Sequence, residues 1–370
     1  MTFSSLRILL LASILLGCVE EYDIRYNLDA KVLTVEGFVT ETLGGTQVSI
    51  NTSVGNGGNS YSEPLKGCTV ELLTDNGTVP FREVVSGVYA PAATFQGQSG
   101  KSYQLRFRTP DGQTYLSSKE TLTTVPPIKK VYQTFDPKGL LDRTGQRVLA
   151  STFDIYLDFD DPRETQNFYL WRWKRYEFQD ICITCEGGTL NTNGGVCIKS
   201  NARNPPTYDY QCDRPCWEVF YNQDVNIFSD VFSNGQMVQG RLIAKVPFHS
   251  TQGCLLEIEQ IGLSREAFLY YQLLRDQVQT TGTLTDTPPA PIIGNITNIN
   301  NPSDKVVGYF GAASSQKIAY WVTRNERPDG IRRPLLGRPT LLEEPTPFRP
   351  PVYPCVMSRT RTPIRPEGWR

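Results

Sequence analysis

The chain has 370 residues, 39% of them hydrophobic, with a net charge of −1 and a mean hydropathy of −0.34. Near-neutral charge gives no reason to expect nucleic acid or an acidic polymer as a bulk partner. A single histidine, His249, placed at a predicted strand end in VPFHSTQ, argues against histidine-based catalysis.

The chain opens with one cation, Arg7, and an apolar run from Ile8 to Leu16, followed by Gly17 and Cys18. A run this short fits a cleaved signal peptide over residues 1–17 and falls under the ~18 apolar residues of a spanning helix. Leu15-Leu16-Gly17-Cys18 resembles the bacterial lipobox, in which the cysteine thiol carries diacylglycerol and the chain is cut just before it. Cys18 is therefore the expected lipid attachment, and a membrane the expected partner. Two or three acyl chains, at about 0.8 kcal/mol per buried methylene, make a durable anchor. Residues 18–28 read as the tether, and Val19-Glu20-Glu21-Tyr22-Asp23 resembles the acidic export tag of surface lipoproteins. A solvated linker would carry the same carboxylates. The expected location is the outer membrane, the cell surface slightly favoured over the periplasmic leaflet.

Residues 29–126 alternate as strands do: KVLTVEGFVTE, TQVSINTSV, CTVELLTD, SGVYAP, KSYQLRFRT and QTYLSS, separated by turn signals such as Asp75-Asn76-Gly77 and Asp111-Gly112. Six or seven short strands in about a hundred residues predict an immunoglobulin-like β-sandwich. Tyr103 suits a tyrosine corner, its phenol bonding to nearby backbone. Gly97-Gln98-Ser99-Gly100-Lys101-Ser102 looks like a phosphate-binding loop, but its first glycine is two residues too close and a strand follows it. Val125-Pro126-Pro127 reads as a linker.

Residues 127–326 predict a larger β-sandwich-like domain. In NFYLWRWKRYEF, Tyr169, Trp171 and Trp173 share one face of a strand, with Phe168, Leu170 and Arg172 on the other. Trp171 and Trp173 are the candidate ligand platform, because sugar rings stack on indole; a buried core would use the same face and is the better expectation. Asp158, Asp160 and Asp161 carry two readings, a Ca²⁺ site or a solvated strand end before Pro162, of which the second is preferred. One amphipathic helix is predicted over residues 264–281, capped by Ser264, with Ala267, Phe268, Tyr271, Leu274 and Val278 as its apolar stripe. Residues 327–370 hold ten prolines and nine arginines, so a Pro/Arg-rich extended strap pinned by Cys355 is expected. The body is left at about −7, which suggests that basic tail and acidic body dock.

Lipidation takes one of nine cysteines. The remaining eight, Cys68, Cys182, Cys185, Cys197, Cys212, Cys216, Cys254 and Cys355, are disulfide candidates in an exported chain, with their pairing open. Several fall in a Gly/Asn/Pro-rich insertion over 182–216 that has little apolar material to bury. Cys182-x2-Cys185 with Cys212-x3-Cys216 has tolerable zinc spacing, but an oxidising compartment argues for disulfides, so no metal and no cofactor are expected.

The blocks CWEVFYNQDVNIFSD (Cys216 to Asp230), AFLYYQLL, PPAPIIGNITNINNP (Pro288 to Pro302), VVGYFGAAS and RPEGW, in that order, resemble the Bacteroidota lipoprotein family of domain of unknown function 4249. The resemblance implies a lipobox start, an N-terminal immunoglobulin-like sandwich and a larger C-terminal β region. It also implies neighbouring TonB-dependent receptors, hence an accessory role in nutrient uptake or envelope assembly. It carries over no catalytic or ligand residue, and the 182–216 cysteine cluster departs from its usual members. The expected function is a non-catalytic binding or accessory module; a surface glycan-binding module and a structural or adhesive envelope protein are the alternatives. A two-carboxylate glycosidase leaves no local signature and is disfavoured.

Overall fold

A computed structural model describes residues 31–56, 59–142, 147–191, 195–278, 292–325, 341–343 and 352–370. The signal peptide, Cys18, the tether and much of the Pro/Arg-rich tail lie outside these. The described chain is mostly β, with one helix, as predicted. No described helix is long and apolar enough to cross a membrane.

The first sandwich stacks two sheets. One orders Val306–Val307, Val32–Val39, Gln47–Asn56, Val88–Ala90 and Arg82–Val85; the other orders Ile296–Asn298, Thr114–Ser117, Ser102–Arg108, Thr69–Thr74 and Gly77–Pro80. Period-2 alternation turns Val35, Val39, Val48, Ile50, Val70, Leu72, Leu105 and Phe107 into the core. Tyr103 makes the predicted corner: its hydroxyl accepts the Gln98 N–H at 2.7 Å.

Residues 29–126 do not close this sandwich by themselves. Val306–Val307 and Phe310–Ala312 run parallel to Val32–Val39, and Ile296–Asn298 adds an antiparallel strand to Thr114–Ser117. A parallel neighbour requires a long crossover, and here it runs through the rest of the first sandwich and most strands of the second before the chain returns. The return is possible because glycines allow close approach. Gly308 sits at φ 104° where an added Cβ would lie 2.0 Å from the Val35 carbonyl oxygen, and a Cβ on Gly294 would lie 1.5 Å from that of Gly308.

In the second sandwich, Ile128–Leu141, Val148–Asp160 and Met237–Pro247 face a sheet ordered Ser315–Val322, Cys254–Leu263, Phe168–Phe178, Trp217–Tyr221 and Arg361–Thr362. Phe153, Ile155, Leu157 and Phe159 meet Tyr169, Trp171, Leu256 and Ile258 in its core. The helix Arg265–Val278 covers the other face of that sheet. Ser264 Oγ accepts the Ala267 N–H at 3.2 Å, the predicted cap. Ala267 and Tyr271 are buried, and Phe268 and Leu274 pack beside them with Phe38, Leu170 and Ile261, joining the two sandwiches. Val278, predicted to belong to the stripe, is exposed.

The cysteine insertion forms a small lobe, with Ile181–Cys185, Tyr208–Cys212 and Val352–Tyr353 in one sheet and Gly188–Asn191 paired to Val196–Lys199. The described end of the tail lies on the second sandwich, pairing Arg361–Thr362 with Trp217–Tyr221. Its last residues wedge Trp369 between Trp217 and Trp321, with ring centroids at 5.8 and 5.0 Å. Among the described residues, no tail arginine makes an ion pair with the body, and five of the nine tail arginines lie outside the described residues. Arg361 donates instead to the Cys182 carbonyl at 3.0 Å, and Arg359 lies over the Tyr221 ring.

Candidate functional site

The paired-indole platform is corrected by the structure. Trp171 is 0% exposed, and its Nε1 donates to Gln260 Oε1 at 2.9 Å, so it is a satisfied core side chain that no ligand reaches. Trp173, two residues on along the same face, is half-buried against the same core and reaches the side of the sandwich. The three aspartates are engaged locally rather than around a cation. Asp158 accepts the Gly240 N–H at 2.8 Å, Asp160 pairs with Lys129 at 2.7 Å, and Asp161 accepts from Gly235 N–H and the Tyr169 hydroxyl.

Three disulfides answer the pairing question: Cys182–Cys212, Cys185–Cys197 and Cys216–Cys355. The zinc reading fails because Cys182, Cys185, Cys212 and Cys216 are all consumed as disulfide sulfurs. Cys68 and Cys254, also candidates, are free thiols. Cys68 has its S–H near the Leu65 carbonyl in the first sandwich, and Cys254 is enclosed in the second core. Cys216–Cys355 is the expected pin of the strap, and Asp213 supports it by accepting the Cys355 N–H at 3.0 Å. Arg214 beside it and that amide hold the Asp213 carboxyl below the usual range.

One cluster escaped the sequence reading. Arg324, 1% exposed, donates from Nη1 and Nη2 to the two Glu177 oxygens at 2.8 and 2.6 Å and to the Gln252 and Pro247 carbonyls. Arg175 Nε lies 2.9 Å from Glu177 but off hydrogen-bond geometry. His249 Nε2 stands 3.9 Å from the same carboxylate, and Cys254 lies against it. The signal was the period-2 continuation of Tyr169, Trp171 and Trp173 into Arg175 and Glu177, which sets two charges on a core face. Cys, His and Glu together suggest a nucleophile, but the electrostatics oppose one. Burial and the Glu177 charge push the Cys254 thiol up to about 12, so it holds its proton at neutral pH. Burial, with Arg324 and Arg175 near, keeps His249 below its ordinary value in spite of Glu177. The cluster is a charged latch between the ends of three strands.

At the junction of the sandwiches, a cleft of about 270 Å³ is lined by Glu36, Phe38, Gln47, Arg172, Glu259 and Lys317. Cross-strand register sets Arg172, Glu259 and Lys317 in a row. Arg172 reaches Glu36 at 2.8 Å and the Tyr271 hydroxyl at 3.0 Å, and Lys317 lies 3.6 Å from Glu259. Two cations match two anions, so the cleft exerts no net pull on an ion and serves to fasten one sandwich to the other.

These features define a double β-sandwich protein, its first sandwich completed by the returning chain and its second stapled by disulfides. The family of domain of unknown function DUF4249 matches residues 19–319, and the chain belongs to that family. No curated protein and no solved structure matches it.

Proposed function

We propose that this protein is a lipid-anchored, non-catalytic binding module of the bacterial outer membrane, acting beside a TonB-dependent receptor in nutrient uptake or envelope assembly. The observation that carries the reading is the conjunction of two features: Cys18 directly after a short apolar run, and three disulfides in the folded part. Disulfides belong to oxidising compartments, where lipoproteins mature. The family resemblance to Bacteroidota lipoproteins adds the receptor. The test is metabolic labelling with a tagged fatty acid followed by affinity purification from gently solubilised membranes. Label on the wild type and none on Cys18→Ser, together with a co-purifying β-barrel receptor, is the expected result. Unlabelled protein, or recovery of this chain alone, would overturn it.

A second reading, a surface glycan-binding module, is favoured by one observation: Trp173 is partly exposed and lines an open cavity of mixed polar and apolar character. It rests on Trp173 alone, since Trp171 is enclosed.

A further inference from the structure

The side of the second sandwich has an opening that no strand closes. Trp217–Tyr221 pairs with Lys174–Phe178, and Asn226–Ser229 pairs with Phe168–Trp171, which leaves residues 223–225 outside the ladder. Opposite runs Met237–Pro247, the edge strand of the facing sheet. Between them lies a cavity of about 470 Å³, lined by Trp173, Asn222, Asp224, Asn226, Arg241 and Lys245 among others. That is within the usual size of small-molecule sites.

The charges in this opening are not matched. Lys245 is more than neutralised by two carboxylates, Asp154 at 2.6 Å and Asp136 at 3.5 Å. Arg241 makes no ion pair among the described residues; Asp224 shares the cavity but stands exposed and unpaired with it. The Arg241 guanidinium stacks on Trp171 at 5.0 Å and lies near Phe228 at 5.5 Å. Its Nη2 donates to Asn226 Oδ1 and to the Ile227 carbonyl, its Nε is buried without an acceptor, and its Nη1 makes no hydrogen bond among the described residues. Burial, with Arg275 nearby, works against its charge. A partly buried cation without a counter-ion loses some of its hydration, and a bound anion would compensate that loss.

The neighbouring groups suit a polar ring. The Trp173 backbone N–H donates to Asn222 Oδ1 at 3.1 Å, and the Asn222 backbone N–H donates back to the Trp173 carbonyl at 3.2 Å, which ties the two backbones together at the opening. The Trp173 indole N–H has no acceptor among the described residues; in the same cavity Asn222 Nδ2 donates to the Asp224 carbonyl at 3.0 Å and Asn226 Nδ2 to the Leu242 carbonyl at 2.9 Å, which leaves each amide one further N–H for a ligand. An indole face takes the C–H face of a sugar, amides take its hydroxyls, and a guanidinium takes a carboxylate with charge-assisted hydrogen bonds. We propose that this opening binds an acidic saccharide, a hexuronic acid being the smallest unit, with its carboxylate on Arg241 and its ring on Trp173. The proposal rests on the glycan-binding reading and narrows it to a chemical class.

The test titrates detergent-solubilised full-length protein, by calorimetry and indole fluorescence, with digalacturonic acid, with the neutral disaccharide of the same linkage, and with acetate. Digalacturonic acid should bind at least about tenfold tighter than the neutral sugar, and the preference should shrink as salt rises. Arg241→Met should erase the preference, and Trp173→Ala should weaken both sugars. Because Arg241 packs on Trp171, the salt dependence of the unmutated protein decides the matter if that variant does not fold. Equal binding of the two sugars would overturn the acidic class and leave the glycan reading standing. Acetate binding as tightly as the disaccharide would reduce the site to one for a simple anion and overturn the saccharide. Binding of none of the three at concentrations on the order of 10 mM would overturn both.

Discussion

Arg324 and Glu177 are enclosed together, and each is tolerable only because the other is there. Removing one partner of such a pair leaves a buried charge, at a cost of about 3–5 kcal/mol. Arg324→Met should therefore lower stability by about that much in urea unfolding, with part of the loss recovered when Glu177→Gln is added. Cys254, beside them, makes a pH prediction. Its folded value is raised to about 12, so its stabilising contribution is complete below the unfolded thiol's value of roughly 8.5 and is lost as pH climbs toward the folded one. The difference in urea midpoint between wild type and Cys254→Ala should shift in favour of the variant from pH 7 to pH 10. The Cys254 thiol should also resist alkylation until the protein unfolds. None of this was legible residue by residue. An even cysteine count invited full pairing, and only the long-range register of Cys254 with Val322 shows that this sulfur points into a core.

Among the elements, the strap was foreseeable because proline cannot continue a ladder, and its pin was foreseeable from Cys355. What it docks against was not, since Trp369, Trp217 and Trp321 come from three distant segments. Replacing Cys216 and Cys355 with serine opens a loop of sequence separation 139 and should cost about 4 kcal/mol. Proteolysis of the segment from Val352 onward should then precede cleavage elsewhere. Asp213 tests the same docking by acid. Its folded value is depressed, so its contribution is present above the unfolded value of roughly 3.9 and lost as pH falls through the folded one. Protection of the Cys355 amide, measured against the intrinsic exchange rate at each pH, should fall as pH drops through the folded Asp213 value, and Asp213→Asn should show the lower protection already at neutral pH.

At the level of the whole molecule, alternation and turn signals made both sandwiches legible, including the tyrosine corner at Tyr103. The boundary at residue 126 was misleading for a physical reason. Strands pair by hydrogen bonds that sequence periodicity does not address, so the short runs around Ile296, Val306 and Phe310 group by sequence with the second domain over 127–326. The VVGYFG block is explained by this crossing, where Gly308 and Gly311 let the chain pass against Val35 and Phe38. Gly308→Ala forces a Cβ into the Val35 carbonyl at a left-handed φ and should cost roughly 2 kcal/mol or more, seen as a lower melting temperature. The same variant should expose the Val32–Val39 edge and promote aggregation. The candidate site was half legible: the aromatic face was visible in NFYLWRWKRYEF, but which indole meets solvent depends on a gap in the neighbouring edge strand.

The placement of Val32–Val39 has a mechanical consequence. It is the first described strand, and it is gripped on one flank by Gln47–Asn56 and on the other by chain that returns from the far sandwich. A tug arriving from the N-terminal end is therefore loaded along two rows of hydrogen bonds in shear. Those rows must give way together, so the protein should resist extraction by force far better than a strand held on one flank would.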